Sequence, residues 1–401
     1  MVAQPLKKYR IIDLTNILSG PFCGHLLAHM GADVIKVEVP ETGDLARQLG
    51  ADPDLGRKKM GISFLAQNAG KRSVTLNLKS PEGKEAFRRL VATADVVVEN
   101  FRPGVMNRLD LGFDDLKLVN PQLIYCAISG YGATGPLRYQ PAFDQIIQGM
   151  SGVMSITGDA ESAPLRVGFP VADTIGGMSA AFAICATLAG RGSADDEAVF
   201  IDVSMLSSML STMGWVVSNY LMAGVQPQAM GNTNFTASPS GTFATGDGPL
   251  NIAANKQEQF VALCRVLGVD ELVTDPRFCG RFERLEHRQE LTIALEKALA
   301  HRSAAEWQPE LAAAGVPAGL VMSVPEVLDH PHLRDRGMIG RFEAVPDVGD
   351  VSILRPGFKV NGLTPQVPSP PPKLGEHSAE ILQELGFSSG EIAELKLKKV
   401  V

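Results

Sequence analysis

Six short apolar runs in the first half of the chain constrain its fold more than any other feature. RIIDLT (10–15), DVIKVEV (33–39), SVTLNLK (73–79), DVVVEN (95–100), LIYCAIS (123–129) and AVFIDVSM (198–205) all have strand length, and most are rich in Val and Ile. Helical patterns stand between several of them. Gly20–Met30 reads as a short helix with Pro21 tolerated in its first turn. Ser80-Pro81-Glu82 opens another through about Thr93, with a capping serine, a proline at the first position and an early acid. This alternation predicts a mostly parallel sheet covered by helices on both faces.

The texture changes further along. GGMSAAFAICATLAG (176–190) is short for a membrane span and rich in small residues, so it predicts a closely packed buried helix. Leu206–Met222 is helical. Residues 226–248 are loop and turns, 248–255 are hairpin-like, and 256–316 are helical. TPQVPSPPP (364–372) is too proline-rich for a central strand or a helix and predicts an extended arm. Ser378–Lys398 closes with amphipathic helical character. A chain of 401 residues has room for more than one domain. The expected division is a large domain at 1–225, a small α+β domain at 230–325, and a return segment at 326–401 that completes the large one.

With 45% hydrophobic and 20% charged residues, global disorder, collagen and coiled coil are excluded. The net charge of -7 does not advertise a nucleic-acid or anionic-membrane partner. Five cysteines lack metal or disulfide spacing, and no signal-peptide pattern follows the N-terminus, so a reduced cytoplasmic setting is expected. There is no GxxxxGK[ST], HExxH or GxSxG. LSGPFCG lacks the spacing of a dinucleotide fingerprint. His25 and His29 share a helix face without an acidic ligand pattern, which favours packing over metal binding.

Asp173, in GFPVADTIGGMSAAF, stands out. It reads either as an N-cap or as a carboxylate nucleophile able to form a covalent acyl intermediate in a shielded pocket. Gly176 and Gly177 read as leaving space beside it for a ligand.

Several phrases in order carry a whole-chain resemblance. They include IIDLTNILSGPFCGHLLAHMGADVIKVE (11–38), NAGKRSVTLNLKSPEG (68–83), DVVVENFRPGVMNRLDLG (95–112), LIYCAISGYGATGPL (123–137), PVADTIGGMSAA (170–181), AGVPAGLV (314–321) and PKLGEHSAEIL (372–382). The sequence resembles the class III, CaiB/BaiF-type, coenzyme A transferases. The resemblance implies a Rossmann-like large domain with a parallel sheet plus a smaller α+β domain, in an interlocked homodimer. It implies no metal and no tightly bound cofactor, with an acyl-CoA donor and a carboxylic acid acceptor as partners. It gives Asp173 the role of nucleophile and places Ile17, Leu18, Ser19, Leu76, Lys79, Asn100, Phe101 and Arg108 along coenzyme A. Oxyanion stabilisation is expected from backbone N–H groups near Asp173 or its neighbouring glycines.

Departures from the family pattern narrow the reading. Val39 stands where a basic residue often follows the IKVE phrase, and NTNFTASPS (232–240) replaces the glycine-rich loop of the oxalate-specific member. The racemase branch carries a histidine before Asp where this chain has Phe143-Asp144, and a phenylalanine can neither give nor take a proton. Transfer of CoA from succinyl-CoA or acetyl-CoA to a small carboxylic or dicarboxylic acid is therefore expected. An α-methylacyl-CoA racemase or epimerase and a noncatalytic acyl-CoA-binding protein are the rivals. Asn232, Thr233, Asn234 and Thr236 read as acceptor-pocket or turn-capping residues. Arg166 reads as a clamp for a distal carboxylate or as a salt-bridging loop residue.

Overall fold

The computed structural model describes residues 4–192 and 196–401, which divide into two compact units. One unit takes the chain up to Val153, Arg166–Val225 and Pro331–Val401; the other takes Met154–Leu165 and Gln226–His330.

In the first unit, β1 (Arg10–Asp13), β2 (Asp33–Glu38), β3 (Arg72–Thr75), β4 (Val96–Glu99), β5 (Ile124–Ser129) and β6 (Val199–Ser204) pair entirely in parallel. Their order is β3-β2-β1-β4-β5-β6. The continuous apolar character of β1 and β4 follows from burial on both faces, where Ile11, Ile12, Val96 and Val97 are all fully covered. Ile11, Val96 and Val98 join one core cluster with Leu27, Ala180 and Ile184; Ile12 and Val97 join another with Phe87, Leu90 and Leu382. Strand order reverses between β1 and β4. In sheets of this kind the crevice beyond the carboxyl ends at that reversal is where ligands bind.

Helix boundaries follow local chemistry. Ser80 accepts the Gly83 N–H at 3.0 Å and starts the helix Pro81–Ala92 as its sequence predicts. β3 is shorter than the expected 73–79 because Asn77 bends the chain: it accepts the Lys79 N–H at 3.1 Å through its side chain and the Ser80 N–H at 3.0 Å through its carbonyl. The small-residue helix runs Val171–Gly190, starting five residues before the expected Gly176. Its length and composition alone would let it cross a bilayer. However, Ala172, Gly176, Gly177, Ala180, Ala181, Ile184 and Leu188 form a buried stripe at helical spacing, while Met178 and Phe182 are exposed. Expected helix 206–222 is two helices, Met205–Thr212 and Gly214–Ala223. The tail likewise splits into Ser378–Glu384 and Ser389–Leu397, separated by Gly386 at φ 86 and a Ser388 cap.

The second unit is built on an antiparallel sheet, β7 (Ser240–Ala244), β8 (Pro249–Ala253) and β9 (Ala318–Leu320). Helices Gln257–Leu267, Arg288–Leu299 and Ala304–Ala313 bury Phe260, Leu295 and Trp307 with Phe243 and Ile252 of that sheet. Back in the first unit, β10 (Ile339–Val345) and β11 (Gly349–Leu354) form a hairpin whose Val345, Val351 and Ile353 join the first core cluster. The proline-rich stretch has no regular structure over 364–372. It lies against the first unit, with Gly70 N–H donating to the Ser369 carbonyl at 3.0 Å.

Candidate active site

The loop leaving β1 at the strand-order reversal folds back on itself before the helix Ser19–His29. Ile17 sits at φ 70, a left-handed conformation that a β-branched residue ordinarily avoids. Asn100, just beyond β4, clamps the neighbouring peptide: its side-chain oxygen accepts the Asn16 N–H at 2.8 Å and its amide donates to the Asn16 carbonyl at 2.9 Å. The same amide lies 3.4 Å from the Ser19 hydroxyl oxygen, and Ser19 shares a cavity lining with Asp173, where its hydroxyl favours the ionised carboxyl. These hydrogen bonds join the ends of β1 and β4, beside the first turn of the long helix.

Asp173 is the third residue of that helix, and Pro170 holds the cap position, so the N-cap reading is corrected. The cap comes from elsewhere. Asp144 Oδ1 accepts the Ala172 N–H at 2.9 Å and the Asp173 N–H at 3.4 Å, and Asp144 Oδ2 accepts Gln148 Nε2 at 2.7 Å. Val171 N–H bonds to the Phe169 carbonyl and Thr174 N–H to the Pro170 carbonyl. All four N–H groups of the first turn are therefore occupied, which removes them as the expected oxyanion donors. The glycines leave no vacancy either. A Cβ on Gly177 would lie 2.3 Å from the Ser19 carbonyl oxygen, and one on Gly176 would lie 2.9 Å from Met205 Cγ. Gly177 instead lets the long helix approach the Ser19 backbone closely enough to bring Ser19 and Asp173 together. Arg166 is 3.6 Å from Asp144 Oδ2, a half-exposed ion pair that matches its loop-residue reading.

Burial first, and then the charge of Asp144, push the Asp173 carboxyl up to about 7 against the favourable Ser19 hydrogen bond. A cavity of about 140 Å³ gathers Ile17, Leu18, Ser19, Asn100, Phe101 and Asp173 on one surface. Six of the nine residues singled out from sequence meet there. The other three lie outside its lining: Leu76 is buried in the core beyond β3, and Lys79 and Arg108 are exposed. Sequence reasoning missed Ser129, Gly130 and Met205 in the same lining. Ser129 and Gly130 fall in the phrase 123–137 and Met205 closes the run 198–205, but nothing there marks them individually.

Phe101 and Ser129 also border a larger cavity of about 550 Å³ that reaches Glu99, Tyr125, Phe200 and Asp202. Burial pushes the Glu99 carboxyl up to about 7, although it accepts the Phe101 N–H at 2.6 Å. Beneath the Ile17 loop lie six charged side chains, each at most 1% exposed: Asp13, Lys36, Glu38, Asp44, Arg47 and Lys71. Among the described residues, no group of His, Cys, Asp and Glu is placed to hold a metal. In the second unit, Asn232, Thr233 and Asn234 line a cavity of about 770 Å³ with residues of its sheet; Thr236 instead donates its hydroxyl to Asn234 Oδ1 at 2.8 Å.

The family model for CoA-transferase family III matches residues 6–378. Succinyl-CoA:glutarate CoA-transferase of Mus musculus is 34% identical over 399 residues, spanning 99% of this chain and 90% of that protein. Acetyl-CoA:oxalate CoA-transferase of Acetobacter aceti is 37% identical over 384 residues, spanning 95% of each. The crystal structure of a CAIB/BAIF family protein from Brucella suis superimposes with a TM-score of 0.81 at 36% identity, covering 95% of this chain and 99% of that one.

Proposed function

The chain belongs to CoA-transferase family III and transfers coenzyme A, and from that premise we propose that it carries CoA from succinyl-CoA or acetyl-CoA to a small dicarboxylic acid through Asp173. The observation that carries this reading is the half-buried Asp173 carboxyl, which lines one cavity with Ser19 and the rest of the Ile17–Ser19 loop. A carboxylate stripped of solvent is a stronger nucleophile than one in water.

The Asp173 oxygen attacks the thioester carbonyl of the donor, forming a C–O bond as the C–S bond breaks and the CoA thiolate leaves. The thiolate then attacks the aspartyl carbonyl of the resulting anhydride. This expels the donor acid as its carboxylate and leaves an aspartyl-CoA thioester. The acceptor carboxylate repeats the sequence: it attacks the aspartyl thioester, releases the thiolate, and the thiolate attacks the new acyl carbonyl to free Asp173. No net proton is consumed. Each step exchanges one activated acyl group for another, so exclusion of water is what protects the cycle.

Asn100, Ser19, Ile17 and Leu18 line the donor path in this reading, with Phe101 at its turn and the exposed Lys79 and Arg108 left for the far end of the donor, while the buried Leu76 packs beneath. The relatives named above use succinyl-CoA with glutarate and acetyl-CoA with oxalate, which supports an acyl-CoA donor and a dicarboxylate acceptor here. Phe143, exposed at the cavity, disfavours the racemase reading, since the adjacent Asp144 is committed to capping. A cytoplasmic homodimer belongs to the same proposal, and sizing of the purified protein tests its assembly.

The test is intact mass spectrometry after incubation with succinyl-CoA and then with acetyl-CoA, followed by hydroxylamine trapping and peptide mapping. A CoA adduct or its hydroxamate at Asp173, absent from Asp173→Ala, is the expected result. Solvent exchange of the donor's α-proton without any adduct would replace the transferase reading with racemisation.

A further inference from the structure

Six buried charges need a reason beyond stability, because apolar side chains of similar volume commonly fill such a space at no loss. Three acids and three bases balance here; Glu38 and Arg47 also bond Ser73, Lys59 and Pro372, whereas Asp13, Lys36, Lys71 and Asp44 all reach the stretch from Thr15 to Pro21. Asp13 Oδ1 accepts the Thr15 N–H at 2.9 Å, and the Thr15 hydroxyl donates to the same oxygen at 2.5 Å. Lys36 donates to the Thr15 carbonyl at 2.7 Å, and Lys71 donates to the Pro21 carbonyl at 3.0 Å. Asp44 Oδ1 accepts the Ile17 N–H at 2.9 Å. Asp44 is itself pinned, since its Oδ2 pairs with Lys36 at 3.0 Å and its N–H donates to Glu38 at 3.0 Å. Glu38 in turn takes two bonds from Arg47, at 2.7 and 2.8 Å.

We propose that Asp44 is a positioning residue that holds Ile17 in its left-handed conformation and so presents the Asn16–Ser19 loop, already shaped, to the acyl-CoA donor. Asp44 does not line the cavity; it acts through the Ile17 N–H, while Asn100 fixes the preceding peptide. With both anchors in place, donor binding does not have to order this loop, a saving that falls on affinity rather than on the chemical step. The inference rests on the reading of the cavity as the donor site.

Asp44→Asn and Asp44→Ala separate this role from a structural one. Both take from Lys36 its nearest carboxylate, leaving Asp13 at 3.9 Å, and lower thermal stability alike, but only Asn keeps an acceptor for Ile17. The expected result is a donor KM, and a calorimetric Kd for CoA, about tenfold weaker in Asp44→Ala, with Asp44→Asn within about threefold of wild type and kcat within about threefold in both. If neither variant folds, Lys36→Met/Asp44→Asn and Lys36→Met/Asp44→Leu repeat the comparison without a lone buried charge. Equal KM values in the two members of a pair, or a loss confined to kcat, would overturn the positioning role alone. Wild-type protein that neither binds CoA nor forms the Asp173 adduct would instead sink the transferase reading beneath it.

Discussion

Two sets of carboxyl groups are buried in the same unit, and they differ in the company they keep. Asp13 is fully enclosed, and burial alone would raise it, yet Lys36 and Lys71 hold it down to about 2. Glu38, facing Arg47, is likewise lowered. Glu99 is buried and Asp173 half-buried, neither has a cation against it, and both rise to about 7. Burial sets the stakes for a charge, but the partner decides the sign. The paired set lies under the loop as scaffold, and the unpaired set faces the cavities where charge has work to do.

The sharpest contrast comes from removing one member of each set. Asp173→Ala should lower turnover by at least ~10³-fold while leaving CoA binding within a few-fold and the fold intact. Steady-state rates and calorimetry check it, and turnover surviving near the wild-type rate would remove Asp173 as nucleophile. Asp13→Ala should do the reverse. Breaking one partner of a buried pair costs ~3–5 kcal/mol, read as a lowered urea midpoint with unchanged slope.

The two sets also respond to pH in opposite directions. Asp13 titrates lower in the folded chain than in the unfolded one, so its stabilisation is present above about pH 4 and is lost toward pH 2. Asp173 titrates higher when folded, so the folded chain keeps a proton that the unfolded chain gives up, and stability falls as pH rises from about 4 to about 7. Asp173→Asn should therefore be more stable than wild type at pH 8 by ~2–4 kcal/mol, with the gain vanishing near pH 4. Parallel melting curves at the two pH values measure it, and an equal gain at both would show that the effect is not titration.

The smallest effect concerns Ser19. Its hydroxyl favours ionised Asp173, so activity should climb with pH through a limb near 7, and Ser19→Ala should move that limb upward by ~0.5–1 pH unit. A pH–rate profile of each enzyme decides it; an unmoved limb would detach Ser19 from the nucleophile.

Much of the parallel sheet is legible in the sequence because strands buried on both faces write themselves as runs of Val and Ile. The start of the long helix is not. Its cap, Asp144, lies 29 residues before Asp173 and announces itself by no local spacing. Charged residues are read from sequence as surface by default. Lys36, Asp44 and Lys71 carry no local mark to the contrary, and only the three-dimensional neighbourhood reveals them as interior. Asp173 stands out in its own segment and family likeness gives it the nucleophile's role, whereas its place beside Ser19 depends on the close approach at Gly177, which no single residue encodes.

The return of the C-terminal segment to the first unit has a consequence for biosynthesis. Arg47 donates to the Pro372 carbonyl at 3.2 Å, Ser73 N–H meets His377 Nδ1 at 3.2 Å, and Asn77 N–H meets the Val400 carbonyl at 2.8 Å. A ribosome delivers β1 to β6 long before it delivers these partners, so the growing chain carries an unfinished sheet while Gln226–His330 has every residue it needs except Met154–Leu165, which are already made. The later-synthesised unit is thus the first to have its full complement, and the half that holds Asp173 closes last, against residues beyond Pro331.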